Sequence, residues 1–264
     1  HHDLARGDAL VVPDRWHLTD RFDASIHVLD ALDHDLSRRG AFVAYIGSGE
    51  HAVRLRVLGT DTLAPGTDGS VRLFLPQALP LLPGDRFVLR ESGRDETVGG
   101  GEILDIEPVL RASRAAPDRT IERVVRERRW VTVVDVERLT GQRVAATVGD
   151  WLTTDDELEA MRVALRERVA AGGAIGVDLA SFDDRERAVL VTIDEVVVDA
   201  TTVRTADVVD PFLDHAYLEV SRAGGFMPPQ PGGVDRSEVR ERVRRGHLVA
   251  RDGMYFHAET IDAA

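Results

Sequence analysis

The sequence contains no cysteine. That excludes disulfides, thiolate zinc centres and cysteine nucleophiles, and it fits a reducing, cytoplasmic setting. It contains no lysine either, so all 33 basic residues are arginine. A GC-rich coding bias accounts for the replacement. The consequence is chemical: Schiff-base lysines, P-loop lysines and kinase-type lysines are all excluded. No apolar run approaches the roughly 18 residues of a membrane span. The start, His1-His2-Asp3, has neither an initiator methionine nor a following apolar segment, so no signal peptide is visible. The expectation is a piece of a longer protein, with no membrane association.

What is present is a chain of 264 residues with 43% hydrophobic residues, enough for one large domain or two to four small ones with packed cores. The net charge of -13 argues against nucleic-acid binding by bulk charge, and leaves only the local distribution of arginines to support it.

Two halves differ in period. From about residue 6 to 108, short runs rich in Val, Ile, Leu and Phe predict strands: Ala9–Val12, Phe22–Leu29, Ala41–Ile46, Ala52–Leu58, Ser70–Leu75, Arg86–Arg90 and Gly101–Ile106. Turn residues separate them, at Ser48-Gly49, Pro65-Gly66, Asp68-Gly69 and Pro83-Gly84-Asp85. Such spacing predicts a closed barrel or a sandwich. After Pro108 the period becomes helical. Arg119–Arg129 places Ile121, Val124 and Val125 on one face. Thr154–Gly172 opens on a Thr154/Glu157 capping-box spacing and places Leu158, Met161 and Leu165 inward. Val234–Gly246 repeats the pattern, with Asp235 and Glu238 at capping spacing and Val239 and Val243 inward. Hairpins follow the helices: Asp252-Gly253 joins two short strands in His247–Ala258, and Asp194–Ala206 is a weaker version. Helices followed by terminal hairpins outline winged-helix modules, at 112–153, 154–207 (the most divergent) and 208–264.

The triple glycine Gly99-Gly100-Gly101 does not read as a phosphate loop. Such a loop needs a strand before it and a helix after it, whereas these glycines lead into Glu102–Ile106, a strand. Glycines inside a β segment mark a bulge, a barrel corner, or close approach by another backbone.

The segment from Gly84 to Leu104, "GDRFVLRESGRDETVGGGEIL", resembles the end of the third domain of Tu-type translation elongation factors. It keeps Arg86, Phe87, Arg90, Glu91, Gly93, Thr97, Val98, Gly99 and Gly101, and has two extra turn residues, Asp95 and Glu96. "ARGDALVV" (Ala5–Val12) resembles the closing strand of the second domain. Continuation into helix-plus-hairpin modules, with "GGVDRSEVRERVRRGHLVARDGMYFHA" as a late one, narrows the resemblance to the selenocysteine-specific elongation factors. The resemblance implies a Tu-type third-domain β-barrel at 21–110, the end of the second barrel and a linker at 1–20, and tandem winged-helix modules thereafter. It further implies a translation factor that delivers selenocysteinyl-tRNA at recoded UGA codons, with the ribosome and a messenger insertion hairpin as partners. A GTPase domain using GTP and Mg, and a last winged helix, would lie outside this chain. The chain itself is expected to be a monomer without catalytic residues, cofactor or metal.

For the tRNA, the resemblance points to Gly47, Ser48, Gly49, His51 and Arg54, and to the turn Glu91, Ser92, Gly93 and Arg94. Backbone amides and guanidinium groups there would meet phosphates. Arg94, on a turn tip, is the better placed; Arg90 reads rather as a structural ion pair inside the barrel, and His51 as a turn histidine with an ordinary hydrogen bond. Arg236, Arg240 and Arg244 share one helical face as a nucleic-acid-contact stripe. The plainer reading of that helix is a solvated surface with Glu238–Arg242 and Glu241–Arg245 pairs. Asp155-Asp156-Glu157 and Asp183-Asp184 lie at expected helix starts, where carboxylates favour the dipole, without a histidine at metal-ligand spacing. A rival reading of the whole is a DNA-binding winged-helix regulator with an unrelated β sensor domain; a small-molecule enzyme finds no supporting motif.

Overall fold

A computed structural model describes residues 9–12, 16–213 and 215–262. Chain contacts divide it into two compact units, His1–Thr154 and Asp155–Ala264.

The first unit is built on a closed antiparallel barrel. Its strands are β1 (Leu18–Val28), β3 (Phe42–Ile46), β4 (Gly49–Val57), β6 (Asp68–Pro80), β7 (Arg86–Glu91) and β8 (Glu96–Asp105), in the order β1-β6-β4-β3-β7-β8. A short ribbon of β2 (Leu36–Ser37) and β5 (Thr62–Leu63) lies beside it. Side chains alternate across each strand, so Phe22, Ala24, Ile26 and Val28 of β1 point inward together with Phe42, Leu55, Leu73, Phe87 and Leu89. The rings of Phe22 and Phe87 meet edge to face, 6.2 Å between centroids. Of the expected strands, Ala9–Val12 is not formed: these residues are exposed and belong to no strand, and the preceding Ala5–Asp8 lies outside the described residues.

The glycine run is explained inside β8, which pairs with β1 on one side and β7 on the other. A Cβ on Gly99 would sit 2.1 Å from the carbonyl oxygen of His27, and one on Gly101 only 1.9 Å from that of Ser25. On Gly100 it would lie 2.7 Å from the carbonyl oxygen of Phe87. Neighbouring backbones therefore crowd this strand from both sides, and only glycine lets it close the barrel.

Two helices follow in the same unit: α1 (Ile121–Arg128) and α2 (Val133–Thr140), with a two-stranded ribbon of β9 (Val131–Thr132) and β10 (Trp151–Leu152). Thr120 and Thr132 cap them. Val124, Val125, Val136, Leu139 and Leu152 belong to one continuous apolar core with the barrel interior and its covering residues. Between barrel and helix lies a buried ionic cluster. Asp23 of β1 holds Arg72 of β6 through two bonds of 2.6 and 2.8 Å. Arg123 of α1, 1% exposed, donates to Asp105 at the end of β8 and to Glu127, each at 2.8 Å, and to the Asp118 carbonyl at 2.9 Å. The connecting segment from Pro108 to Pro117 closes over these charges too tightly to admit a water molecule. Burial pushes the Glu127 carboxyl up, against the lowering pull of Arg123.

The second unit opens with α3 (Asp155–Ala171), buried through Leu158, Leu165 and Val169, while Met161 is half-buried. β11 (Val177–Asp178), α4 (Asp184–Leu190), β12 (Val196–Val198) and β13 (Thr202–Thr205) follow, forming a sheet of order β11-β13-β12. Asp183 and Glu186 form a reciprocal capping box on α4. Then come α5 (Ala216–Gly224), α6 (Arg236–Arg244), the hairpin β14 (Leu248–Arg251) and β15 (Met254–His257), and α7 (Ala258–Asp262). Asp252 and Gly253 both take positive φ, as a two-residue hairpin turn requires. On α6, Asp235 caps through the Ser237 amide rather than through a capping box, and Glu238 pairs with Arg242 instead.

A second buried ionic hub ties this unit together. Asp210, 1% exposed, accepts from Arg245 at 3.1 Å and lies 3.0 Å from His247. Arg245 also reaches Glu241 at 2.8 Å and the Ile175 carbonyl at 2.8 Å, so α6 is fastened to the turn that follows α3. Phe212 lies beneath both Arg242 and Arg245.

Gly101→Ala is expected to destabilise the first unit by about 3 kcal/mol through overpacking, whereas Gly93→Ala, with open space around it, should change stability by less than about 0.5 kcal/mol. Urea unfolding of the two variants compares them directly. Arg123→Met leaves Asp105 and Glu127 buried without their cation and should cost about 3–5 kcal/mol by the same measurement. Hydrogen bonding from Arg244, and then from Arg245, lowers the Glu241 carboxyl from 4.5 to about 2. The folded form therefore resists protonation: the contribution is complete above pH 4.5 and is lost as pH falls toward 2. Glu241→Gln should flatten the dependence of thermal stability on pH within that window and leave it unchanged in shape above it.

Candidate nucleic-acid interface

Strand register decides which of the expected contact residues can act together. Phe42 at the start of β3 pairs with both Val53 and Glu91, whereas Ile46 at its end pairs with Gly49 and Phe87. The turn at Gly47 and Ser48 therefore lies at one mouth of the barrel, and the turn at Glu91–Arg94 at the other, roughly 13 Å away along β3. Arg54, next to Val53, belongs to the Glu91 end. The set that sequence similarity suggested is thus split: Arg54, Glu91, Ser92, Gly93 and Arg94 share a rim, and Gly47, Ser48 and Gly49 line the opposite one.

At the first rim, Arg90 does not form an ion pair inside the barrel. Its guanidinium reaches out to the carboxylate and carbonyl of Asp95, at 2.8 and 3.0 Å. Asp95 takes a positive φ of 52°. One of the two extra residues of this turn is therefore its left-handed corner and also the partner of Arg90. Arg94 is half-exposed and donates to Asp33 at 3.1 Å. His34 bridges the same group, with Nδ1 2.8 Å from Asp33 and Nε2 3.0 Å from Glu91. Its hydrogen bond to Asp33 raises the His34 pKa, and the same bond, with the charge of Arg94, lowers that of Asp33. Asp33 and His34 are the residues that sequence reasoning missed. They lie 61 and 57 positions from their partners, and no local pattern marks a contact over that span. Arg54 projects outward over the Phe74 ring, 5.1 Å from its centroid, and keeps its guanidinium at the surface.

At the opposite rim, His51 is not in the turn but on β4, facing inward and buried. Its ring occupies the space above Gly49, where a Cβ would come within 2.4 Å of Nε2. Burial lowers its pKa, favouring the uncharged ring at this end of the barrel. An open pocket of about 400 Å³ borders it, lined in part by Gly47, Ser48 and Arg86.

In the second unit, α6 is not a solvated helix. Arg242 and Arg245 are 3% and 2% exposed and serve the buried hub, although both expected pairs, with Glu238 and Glu241, are present. Of the outward stripe, Arg244 is held by Glu241 at 2.7 Å and Asp178 at 3.3 Å. Arg236 and Arg240 remain exposed, without an ion-pair partner among the described residues. Among the described residues no group of three His, Asp or Glu converges on a metal position, and no helix is long and apolar enough to cross a membrane.

Comparison with known proteins gives this geometry a relative. Residues 23–109 match the family model described as the selenocysteine-specific elongation factor, beta-barrel domain. A selenocysteine-specific elongation factor of Desulfomicrobium baculatum is 29% identical over 103 residues, covering 39% of this chain and 16% of that protein. The crystal structure of a bacterial selenocysteine-specific elongation factor superposes with a TM-score of 0.54 at 13% identity, over 95% of this chain and 46% of that one. The chain thus spans less than half the length of the relatives it matches, and the elements described are a barrel and the α/β units after it, with no GTPase domain among them. Through its barrel, this chain is related to the selenocysteine-specific elongation factors.

Proposed function

We propose that this chain is the part of a selenocysteine elongation factor that holds selenocysteinyl-tRNA by its backbone and extends toward the messenger RNA on the ribosome. The observation that carries the reading is the match of the barrel, Asp23 to Val109, to the barrel domain of that family. Chemistry at the rim supports it. Arg54, Arg94 and the amide of Gly93 offer donors suited to phosphates and 2′-hydroxyls rather than to base edges, while the Ser92 amide is taken by the Ala41 carbonyl at 2.8 Å. Arg94 would exchange the Asp33 carboxylate for a phosphate, a replacement of one oxyanion by another.

The α/β units have the order of winged helices: α3 and α4 with the sheet β11-β13-β12, then α5 and α6 with the hairpin β14–β15. In this reading they form an arm directed at a messenger insertion hairpin, with Arg236 and Arg240 as its available cations on α6. GTP and Mg belong to a GTPase domain of the full-length factor, and the protein works in the cytoplasm as a monomer. A DNA-binding regulator would need a β domain of unrelated origin at 21–110, and the family match supplies that domain with translation-factor kin.

Fluorescence anisotropy with selenocysteine tRNA, an insertion hairpin and a DNA duplex of equal length tests the assignment at two salt concentrations. The expected order places the tRNA first, with Arg94→Ala weakening it by about 5- to 10-fold, as for loss of one charge-assisted contact. A preference for the DNA duplex would overturn it.

A further inference from the structure

Beside the barrel rim lies a pocket that neither the tRNA turn nor the ionic clusters account for. It is open, about 260 Å³, and is formed where the segment after β8 crosses the end of β4. Arg38 and Arg56 line it from the barrel, Ser113 from the crossing segment, and Gly59, Thr60 and Asp61 from the turn after β4.

Its cations differ from most of those in this unit. Many guanidinium groups of the first unit are held by carboxylates, as in Arg72–Asp23, Arg90–Asp95, Arg123–Asp105 and Arg138–Glu107. The guanidinium groups of Arg38 and Arg56 have no ion-pair or hydrogen-bond partner among the described residues, and both residues are exposed. Across the β4–β6 ladder Arg56 stands opposite Arg72, whose charge is already met by Asp23, so Arg72 leaves no carboxylate for Arg56 and adds no net charge of its own. Arg39 adjoins Arg38 in sequence, and Arg111 and Arg114 flank Ala112 and Ser113; all three are exposed. The neutral donors are also unspent. The amides of Gly59, Thr60 and Asp61 donate to no acceptor among the described residues, and the Ser113 hydroxyl is likewise unengaged. Three successive free amides beside two guanidinium groups are the donor set of an oxyanion site. The one opposing group in the lining is the Asp61 carboxylate, which leaves it net positive.

We infer that this pocket binds a phosphate group, with Arg38 and Arg56 as its charge, the Gly59–Asp61 amides and Ser113 as its neutral donors, and Asp61 as a weakening element. The phosphate is either a backbone phosphate of a bound RNA or a free phosphate species. Position favours the first. The end of β4 lies on the same side of the barrel as the Glu91–Arg94 turn: β7 is two strands away from β4, beyond β3, about 10 Å across, and Arg56 stands three residues past Val53, the residue level with Glu91, about 10 Å further along the strand. An RNA strand crossing this side would reach both. In that form the inference rests on the proposed function and extends it; the free-phosphate form stands without it.

The test uses the whole chain with two probes, selenocysteine tRNA and inorganic pyrophosphate, and three variants: Arg38→Ala/Arg56→Ala, Asp61→Asn and Arg94→Ala. Circular dichroism and thermal melting confirm that each is folded. For a backbone phosphate, the double variant should lower tRNA affinity about 10-fold or more and reduce the slope of log affinity against log salt by roughly 1 to 2. Asp61→Asn should tighten binding severalfold, a gain that misfolding cannot mimic. For a free phosphate species, pyrophosphate should shift amide resonances of Gly59–Asp61 in the parent chain and not in the double variant, whatever the tRNA does. If the chain binds no tRNA, or if only Arg94→Ala matters to it, the pyrophosphate arm still decides whether the pocket is a phosphate site. No change in either probe on removing Arg38 and Arg56 overturns the inference.

Discussion

Arg123 is the contact on which the first unit turns. A guanidinium 1% exposed is one of the costliest groups to bury, and it is kept charged by Asp105 and Glu127 and by a backbone carbonyl at Asp118. Those partners come from the end of the last barrel strand, from the approach to α1 and from α1 itself. The cluster therefore specifies where the helix sits on the barrel. A displaced helix would leave three charges in a space too tight for a water molecule to reach them. Apolar contacts from Val124 and Val125 supply the non-directional part of the same union. The neighbouring Asp23–Arg72 pair completes the arrangement under the same connecting segment, so the path of residues 108–117 is fixed by charges it must cover.

The barrel beneath that segment is limited by backbone crowding rather than by side-chain volume. β8 is the closing strand, and its three glycines are the places where carbonyl oxygens of β1 and β7 leave no space for a Cβ. Closure and register are coupled here. With the strand fixed in this alignment, Phe42 must face Glu91, and the Glu91–Arg94 turn must lie on the same side of the barrel as Arg54 and the end of β4.

An acidic chain whose cations are all arginine uses many of them internally. Fork-shaped guanidinium groups satisfy two or three acceptors at once, which suits buried hubs such as Arg123 and Arg245. Among the described residues, Arg38 and Arg56 beside the β4 turn and Arg236 and Arg240 on α6 are exposed guanidinium groups that no carboxylate holds. With a net charge of -13, contacts to a polyanion depend on such local concentrations rather than on the overall field.

Periodicity in the sequence was sufficient for the strands of the barrel and for the hairpin at Asp252-Gly253, because alternation and turn residues act over a few positions. It also placed α1, α3 and α6, whose apolar faces recur at helical spacing. It missed α2, α5 and the terminal α7; the first two match α1 and α6 in length, so their helicity was not set apart by length. The strand at Gly101–Ile106 was legible, the glycines before it read as a bulge, a corner or a close backbone approach, and the resemblance of the Gly84–Leu104 segment to elongation-factor barrels pointed to the family that the comparison then matched. Tertiary structure alone decided the roles of the charged residues. An arginine in the Arg119–Arg129 helix reads the same whether it meets solvent or Asp105, and α6 looks solvated until Asp210 is brought beneath it. The partners of Arg94 and Arg123 come from separate strands and loops, and register places Gly47 and Arg94 at opposite mouths of the barrel. Local sequence encodes local torsion and burial, whereas ion pairs across strands depend on closure, which no short window contains.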